Sequence, residues 1–249
     1  MDTVILLGGT SDIAFSIAEL ELQRKARVIL VARDRLEIEI RANDLRFRYG
    51  NSVHVDIFVL DDSQDYSAWN THLLTLSRID RCYCLIGSYS AKSSLESTLG
   101  DIRQNVEIPL KLIWPVIQSM KANNRGSVLV ATSVAQLIPR SSIIGYGAGK
   151  SALSFILQCW SREYGVSNVN FVEARLGWVD TRMSKGKSIS FFTKSPDFVS
   201  KKLFKSISKS GRVIYVPKFW LILRLLAPAI NCWTGIRVRR FGKSQRKTQ

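Results

Sequence analysis

Residues 4–14 read Val4-Ile5-Leu6-Leu7-Gly8-Gly9-Thr10-Ser11-Asp12-Ile13-Ala14, and this segment decides the fold. An apolar run that ends in glycine and leads into a helical pattern is typical of the first strand, phosphate loop and first helix of a dinucleotide-binding sheet. The small residues of that pattern are present, except that Asp12 occupies the place of a glycine. We therefore assign Gly8, Thr10, Ser11, Asp12 and Ile13 to cofactor binding. The alternative is a plain helix start that Ser11 or Asp12 caps.

Short apolar runs alternate with helical patterns along the rest of the chain. This alternation predicts the α/β class, with a doubly wound parallel sheet of the Rossmann type. One domain is expected over residues 1–217, followed by an apolar and then basic extension over residues 218–249. A long helix is expected at Leu99–Lys121, kinked or interrupted by Pro109 and Pro115. The predicted strands are Val4–Gly8, Val28–Ala32, Val53–Val59, Arg81–Ile86, Val128–Thr132, Val169–Ala174 and Val213–Val216.

The end of the second predicted strand bears on the choice of cofactor. In dinucleotide sheets an acidic residue at this point holds the ribose 2′-hydroxyl, whereas a basic residue accommodates a 2′-phosphate. This chain has Ala32 at the acidic position, followed by Arg33 and Asp34. The pattern favours NADPH, with NAD as an alternative because Asp34 could restore a ribose contact. Arg33 could also be an ordinary solvated loop residue.

Tyr146 and Lys150 stand four residues apart at the start of a predicted helix, thirteen residues beyond Ser133. Residues at this spacing share a helix face. A free phenol is too weak an acid near neutrality, and a neighbouring ammonium lowers its pKa. The pattern indicates a general acid, Tyr146, that Lys150 assists.

With these motifs, residues 3–217 resemble the short-chain dehydrogenase/reductase family, which binds NAD(P)(H) and interconverts carbonyl and hydroxyl groups. The resemblance implies a catalytic set of Ser133, Tyr146, Lys150 and Asn105. It also implies that Val179 presents its backbone to the nicotinamide amide, that Thr181 approaches the pyrophosphate, and that the protein forms a homo-oligomer.

The chain departs from the family pattern at several cofactor positions. Cys84-Leu85-Ile86-Gly87 replaces an Asn-Asn-Ala-Gly segment and keeps only the glycine, so Gly87 stays a cofactor-binding candidate. Leu176 replaces a proline. Phe58 stands where an adenine-contacting aspartate is frequent, and Asp61 or Asp62 is the expected substitute.

A narrower resemblance is to polyprenylphosphoryl-2-keto-pentose reductases and related members of polysaccharide gene clusters. It rests on residues 8–14, 177–183 and 213–226. Together the motifs predict an NADPH-dependent ketoreductase that acts on a sugar- or lipid-linked ketone in cell-envelope polysaccharide synthesis. In this mechanism Tyr146 donates the proton, Ser133 orients the carbonyl, Lys150 holds the ribose and Asn105 anchors a water. The competing hypothesis is a catalytically weak dinucleotide-fold protein that acts as a membrane-associated scaffold.

The net charge of +16 comes mostly from the C-terminal fifth, because no Asp or Glu follows Asp197. Phe219–Ile236 is apolar with Trp220 and Trp233 near its ends, and the basic run Arg237–Lys247 follows. The segment is slightly short for a spanning helix, and it fits an interfacial segment on anionic lipid. Packing over the pocket or against a subunit is the alternative. No nucleic-acid fold is recognisable, so nucleic acid is not an expected partner.

The first residues lead directly into a short strand without a signal-peptide pattern, and the four cysteines lie in apolar surroundings. We expect a cytoplasmic protein with reduced thiols, with the inner face of the membrane as a peripheral site. No metal-ligand spacing is present, and no metal is expected.

Overall fold

The computed structural model describes residues 1–50, 52–61, 65–90, 94–164, 168–184, 192–209 and 211–245, with side chains described as far as residue 232. Asp62 and residues 185–191 lie outside the described residues. The strands are β1 (Thr3–Leu7), β2 (Arg27–Ala32), β3 (His54–Val59), β4 (Arg81–Cys84), β5 (Gly126–Ser133), β6 (Val169–Leu176) and β7 (Arg212–Val216). The α-helices are α1 (Asp12–Gln23), α2 (Arg35–Tyr49), α3 (Ser67–Leu74), α4 (Leu95–Ile102), α5 (Ile108–Ala122), α6 (Ile144–Tyr164), α7 (Pro196–Ser206) and α8 (Trp220–Gln245).

The strands form one parallel sheet in the order β3-β2-β1-β4-β5-β6-β7. The predicted doubly wound Rossmann-type sheet is confirmed. The strand order reverses between β1 and β4, and ligands bind outside the carboxyl ends of strands at such a point. The loops that follow β1, β2, β4, β5 and β6 therefore meet at one edge of the sheet.

Each face of the sheet carries its own apolar core, because successive side chains of a strand point to opposite faces. On β1, Val4 and Leu6 join the core under α1, α2 and α7. Ile5 and Leu7 join the core under α3, α5 and α6. All four side chains are fully buried, as expected for a parallel sheet covered on both faces.

The helix predicted at Leu99–Lys121 is different in the structure. It begins earlier, at Leu95, where Ser94 caps α4 by accepting a hydrogen bond from the Ser97 backbone. A π-helical turn over Arg103–Glu107 then separates α4 from α5. The interruption precedes Pro109, which has no N–H to donate to a carbonyl one turn back. Pro115 lies inside α5 and does not end it.

Two strands, β4 and β6, end two residues away from their predicted last residue. β4 ends at Cys84 rather than at Ile86. β6 continues to Leu176, because it pairs with β5 as far as the partners Ser133 and Leu176. This longer pairing carries Ser133 and Gly177 to the same edge of the sheet.

Most of the apolar and basic extension, Trp220–Gln245, folds as the single helix α8, which includes Pro228. α8 packs against β7 and against the 3-10 turn that follows β5, Val134–Leu137, where Asn231 donates a hydrogen bond to the Leu137 carbonyl. No helix within the described part of the chain is long and apolar enough to cross a membrane. The division of the chain at residue 217 stays a prediction.

Candidate active site

A cleft of about 760 Å³ opens at the carboxyl edge of the sheet, between the loops after β1 and β4. Such a cleft at the switch point is where an α/β sheet holds its ligand. The sequence-predicted residues that line it are Gly8, Thr10, Ser11, Asp12, Ile13, Arg33, Asp61, Gly87, Ser133, Tyr146, Lys150, Val179 and Thr181. The remaining predicted residue, Asn105, is fully buried just behind the lining.

The loop after β1 is built for close approach to a ligand. Gly8 has a φ of +87°, and a side chain there would lie 3.2 Å from the backbone of Leu85 and Ile86. Ser11 caps α1 by accepting a hydrogen bond from the Ala14 N–H at 3.0 Å. Ser11 is thus a helix cap that also lines the cleft, and its role in cofactor binding stays a prediction. The α1 N-terminus points into the cleft, as anion sites require.

Asp12, the acid in the place of a glycine, is paired with a cation. Its Oδ1 accepts a hydrogen bond from Nη2 of Arg41 at 2.8 Å. Arg41 lies on α2 and also contacts Glu37 at 3.2 Å. The loop after β1 and the start of α1, residues 8–13, form what we call the phosphate end of the cleft. The negative charge that Asp12 brings there is balanced by the protein itself.

The end of β2 places Arg33 on the surface of the cleft, exposed to solvent. Asp34 caps α2, since its carboxylate accepts a hydrogen bond from the Glu37 N–H at 2.9 Å. Asp61 lines the same end of the cleft in the loop after β3. Arg33 lines the cleft directly after β2, the point at which dinucleotide sheets contact the cofactor ribose.

Two glycines bring α6 close to its neighbours and so fix the direction of the helix face that carries Tyr146 and Lys150. A side chain at Gly145 would lie 2.6 Å from the Thr98 carbonyl, and one at Gly149 would lie 2.9 Å from Asn105. Because they are four residues apart, both glycines lie on the packed face of α6. The adjacent Tyr146 and Lys150 then share the face that meets the cleft.

Tyr146 is hydrogen-bonded to Ser133 and lies edge-on to Tyr89, with ring centroids 6.2 Å apart. Burial raises the pKa of Tyr146 above its ordinary value, and the Ser133 hydrogen bond and the charge of Arg140 offset only part of this. The sequence-based expectation of a pKa lowered by Lys150 is not met in this arrangement. The reason is that the phenol is desolvated and the ammonium is directed elsewhere.

Lys150 is buried, and its ammonium donates hydrogen bonds to the carbonyls of Ile86 at 2.9 Å and Ala131 at 3.2 Å. Its Nζ lies 5.9 Å from the centre of the Tyr146 ring. Burial lowers the pKa of Lys150 to about 8. A side chain at Gly87 would approach this Nζ to 3.1 Å, so the glycine keeps the space beside the ammonium open.

Asn105 belongs to the π-helical turn, and its amide donates hydrogen bonds of 2.7 Å to the carbonyls of Ser88 and Asp101. Its Oδ1 is buried and finds no hydrogen-bond partner among the residues that the structure describes. A buried acceptor left unpaired is costly, and a water or ligand hydroxyl normally satisfies it. This oxygen would lie 3.3 Å from a side-chain carbon at Gly87, on the side of Lys150.

The loop after β6 closes the other wall of the cleft. Val179 is buried, and its carbonyl accepts a hydrogen bond from Oγ of Ser184 at 2.7 Å. The same Oγ accepts a hydrogen bond from the Thr181 N–H at 2.9 Å. Trp220, at the start of α8, packs against Gly177 so closely that no side chain fits there. α8 is thereby part of the wall beside the cleft.

A buried polar network behind Ser133 was not predicted from the sequence. Arg175 on β6 donates hydrogen bonds to Glu173 at 2.7 Å, to the Tyr215 hydroxyl at 2.7 Å and to Oγ of Ser154 at 3.0 Å. Glu173 in turn accepts a hydrogen bond from Thr132 at 2.8 Å. The Arg175 guanidinium keeps the pKa of Glu173 below its ordinary value although burial opposes this. The network joins β5, β6, β7 and α6 beneath the catalytic residues.

Sequence analysis also missed Arg41, Arg140 and Arg182, which become part of the site only when the chain folds. Arg140 and Arg182 line the cleft, and Arg41 pairs with Asp12. An arginine on a helix or loop carries no local pattern that distinguishes it from a solvated one. No group of His, Cys, Asp and Glu side chains in the described residues could hold a metal ion.

Comparison with known proteins agrees with this geometry. The family model for short chain dehydrogenase matches residues 2–189. The chain belongs to the short-chain dehydrogenase/reductase family. It is 23% identical over 232 residues to an uncharacterised oxidoreductase of Mycobacterium tuberculosis, a match that covers 90% of this chain and 93% of that protein.

Two further relatives extend the comparison. The chain is 22% identical over 236 residues to the very-long-chain 3-oxoacyl-CoA reductase of Macaca fascicularis, covering 89% of this chain and 74% of that protein. A short-chain dehydrogenase from Sphingobium yanoikuyae, solved in complex with NADPH, superposes with a TM-score of 0.78 at 21% identity, covering 100% of this chain and 98% of that chain.

The family and the site together make this protein an NAD(P)-dependent oxidoreductase that acts on alcohol and carbonyl groups. The cleft suits a nicotinamide dinucleotide. At one end lie the turn at Gly8 and the N-terminus of α1, which suit the phosphates. At the other end lie the unpaired Oδ1 of Asn105 and the buried ammonium of Lys150. The narrower resemblance to polyprenylphosphoryl-2-keto-pentose reductases stays a prediction.

Proposed function

We propose that the protein is an NADPH-dependent reductase that converts a ketone to a secondary alcohol. The observation that carries the proposal is the convergence of Ser133, Tyr146 and Lys150 on one cleft wall, with the phosphate loop at the opposite end. When bound, the nicotinamide dinucleotide would supply the hydride that the carbonyl carbon accepts. The protein's own residues have to orient the carbonyl, protonate its oxygen and keep water from the site.

Tyr146 is the proton donor, and its raised pKa keeps the phenol protonated at neutral pH. Ser133 already hydrogen-bonds Tyr146 and is placed to share the carbonyl oxygen with it. Lys150 brings positive charge to the developing alkoxide and has donors for the ribose of the cofactor. Asn105, with its unpaired Oδ1, is suited to hold the water that resupplies the proton.

The preference for NADPH rests on Arg33, which is exposed at the cleft while Asp34 is engaged as a helix cap. NAD remains the competing cofactor. The test is calorimetric titration of NADPH and NADH into wild type and Arg33→Ala, with Arg35→Ala as the matched control, because Arg35 is exposed on α2 and pairs with Glu39. We expect Arg33→Ala to weaken NADPH about tenfold and NADH hardly at all. Equal affinity of wild type for the two cofactors would contradict the preference.

Besides the proposed catalytic residues, the lining of the cleft combines apolar side chains with the cation of Arg140. Val134, Ile143, Trp178 and Met183 line the cleft together with Arg140. This lining suits a sugar- or lipid-linked ketone that carries an anionic group, as in cell-envelope polysaccharide synthesis. The relative named as a very-long-chain 3-oxoacyl-CoA reductase makes a long-chain 3-oxoacyl thioester the competing substrate.

The substrate test is NADPH consumption with a panel of ketones, in which polyprenyl-phosphate-linked keto sugars are compared with 3-oxoacyl thioesters. Each substrate is assayed with wild type and with Tyr146→Phe, so that consumption unrelated to the site is subtracted. Turnover of a keto sugar that Tyr146→Phe abolishes supports the assignment. Turnover of the thioester alone would replace the proposed substrate, and turnover of neither would favour a scaffold role.

We further propose that α8 holds the protein at the cytoplasmic face of a membrane. Leu221, Ile222, Leu225 and Leu226 are 46%, 60%, 73% and 53% exposed on the side of α8 that faces away from the sheet. No acidic residue follows Asp197, and Arg237, Arg239 and Arg240 continue the same helix. An apolar helix face joined to a run of cations is the pattern of an interfacial helix on anionic lipid.

The membrane proposal is tested by co-sedimentation of the full chain with anionic and neutral vesicles. Leu225→Ser/Leu226→Ser removes apolar surface that the fold does not use, and Arg237→Gln/Arg239→Gln/Arg240→Gln removes charge. We expect wild type to bind anionic vesicles, the charge variant to lose most binding at low salt, and the leucine variant to lose it at all salt concentrations. If the wild-type protein stays in the supernatant with anionic vesicles at low salt, the membrane proposal is wrong, and α8 serves only to pack against the rest of the protein.

A homo-oligomer is also proposed, because α4, α5 and α6 expose apolar side chains on the surface. Leu95, Leu99 and Ile102 form a stripe on α4, with Trp114 on α5 and Phe155 on α6. Sedimentation of wild type and of Leu99→Glu/Phe155→Glu tests this surface. We expect an oligomer that the double substitution dissociates, and a monomeric wild type would contradict the proposal.

A further inference from the structure

Arg182 bridges the two walls of the cleft at its phosphate end. It lies in the short 3-10 turn after β6, Arg182–Ser184. Its Nη2 donates a hydrogen bond to the Thr10 carbonyl, next to the N-terminus of α1. Its Nη1 contacts Oε1 of Glu37 at 2.5 Å, and its Nε lies 4.0 Å from Oδ1 of Asp12.

The cluster around Arg182 is electrically balanced. Two cations, Arg41 and Arg182, share two carboxylates, Asp12 and Glu37. The side chain of Arg182 is 53% exposed, whereas that of Arg41 is only 17% exposed. Arg41 therefore has a fixed place against α1, while Arg182 can exchange its partners at little cost in desolvation.

The position of Arg182 is suited to an anion that enters the cleft. Thr10, Ser11, Asp12 and Arg182 all line it, and the N-terminus of α1 attracts negative charge to the same place. An arginine presents several N–H donors in a planar fork that matches phosphate oxygens. A phosphate at this place would compete with Glu37 for the guanidinium.

We propose that Arg182 is a ligand for a phosphate group of the dinucleotide, and that Glu37 is the internal anion which the phosphate displaces. The proposal rests on the proposed cofactor binding and adds to it the residue that discriminates anionic ligands. Glu37, with Asp12 beside it, thus sets the affinity of the phosphate site by competing for Arg182. Oγ of Ser184, in the same turn as Arg182, hydrogen-bonds the backbone of Thr181 and Val179. The replacement of Glu37 by phosphate at Arg182 is therefore connected to the cleft wall that carries Val179.

The experiment is calorimetric titration of NADPH and NADH into the full chain, with binding rather than turnover as the readout. The variants are Arg182→Gln, Glu37→Gln and the double variant, and Lys201→Gln is the matched control because its ion pair with Asp197 lies on the exposed surface of α7. We expect Arg182→Gln to weaken binding about tenfold. Glu37→Gln should strengthen it several-fold, and the double variant should bind like Arg182→Gln.

The two cofactors distinguish the source of the phosphate. A loss confined to NADPH assigns Arg182 to the 2′-phosphate, and an equal loss with both assigns it to the pyrophosphate; either outcome supports the proposal. Arg182→Gln that binds as tightly as wild type, or Glu37→Gln that binds more weakly, would overturn it while the proposed cofactor binding stands. Wild type that binds neither cofactor would overturn both.

Discussion

The two ends of the cleft satisfy their charged groups in opposite ways. At the catalytic end, Lys150 and Arg175 are buried and each is held by several fixed acceptors. At the phosphate end, Asp12 and Arg182 are partly exposed and pair across the opening. The first arrangement costs desolvation and fixes geometry, whereas the second leaves ion pairs that a ligand can exchange. Under the proposed function, this difference means that the catalytic geometry is pre-organised, whereas the affinity of the cleft for an anionic ligand is adjustable.

Among three predictions that compare the two ends of the cleft, the largest effect is expected at the catalytic end, in Lys150→Met. This substitution keeps the length of the side chain and removes the ammonium that donates hydrogen bonds to the carbonyls of Ile86 and Ala131 and that we propose holds the cofactor ribose. We expect kcat/KM for ketone reduction to fall about a thousandfold and NADPH binding to weaken as well, because charge and positioning are lost together. Steady-state kinetics with parallel calorimetry measure both. Retention of wild-type kcat would show that the buried ammonium is structural only.

A second prediction compares the stability that two ion pairs contribute: the buried pair of Arg175 and Glu173 at the catalytic end, and the partly exposed pair of Arg41 and Asp12 at the phosphate end. Arg175→Met leaves the carboxylate of Glu173 buried and unpaired, and should lower the free energy of unfolding by about 3–5 kcal/mol. Arg41→Met removes a partly exposed partner of Asp12 and should cost about 1 kcal/mol or less. Urea denaturation of the two variants measures both losses.

The control for this comparison is Glu173→Leu/Arg175→Met, which removes the buried pair as a whole. It should recover most of the stability that Arg175→Met loses, because no unpaired charge remains. Equal losses for Arg175→Met and Arg41→Met would contradict the distinction between the two ends.

The smallest of the three effects is on the pH profile of reduction. The proposed mechanism needs the Lys150 ammonium. The pKa of Lys150 is lowered to about 8, while the pKa of Tyr146 is raised. As pH rises through about 8 the ammonium is lost, so kcat/KM for NADPH should be flat near about pH 7 and then fall up to about tenfold per pH unit. Lys150→Arg stays charged and should lose this descending limb. A wild-type profile that is level to about pH 10 would be inconsistent with the lowered pKa of Lys150.

Much of the fold follows from local patterns in the sequence. The strands of the sheet carry continuous apolar runs, and the glycine turn after β1 and the Tyr146–Lys150 spacing depend on neighbours close in the chain. The predicted lining residues accordingly meet in one cleft. The π-helical turn at Arg103–Glu107 was not predicted, since Pro109 indicates an interruption without its geometry.

Other features depend on contacts between distant parts of the chain. Arg182 reaches Thr10, which is 172 residues away, and nothing near residue 182 specifies that contact. The raised pKa of Tyr146 results from burial, and the four-residue spacing between Tyr146 and Lys150 does not predict how far the phenol is buried. α8 is a continuous helix although it contains Pro228, whereas local sequence rules predict a kink or a break at a proline inside a helix.

The central claim, that Tyr146 supplies the proton at a pre-organised site, is tested most directly by single-turnover oxidation of bound NADPH in wild type and Tyr146→Phe. Phenylalanine removes only the hydroxyl, so NADPH should bind with near-normal affinity in calorimetry. We predict that the rate of NADPH oxidation by a ketone falls by about a factor of a hundred to ten thousand, the contribution of a positioned acid. A Tyr146→Phe variant that binds NADPH normally and oxidises it at the wild-type rate would contradict the claim.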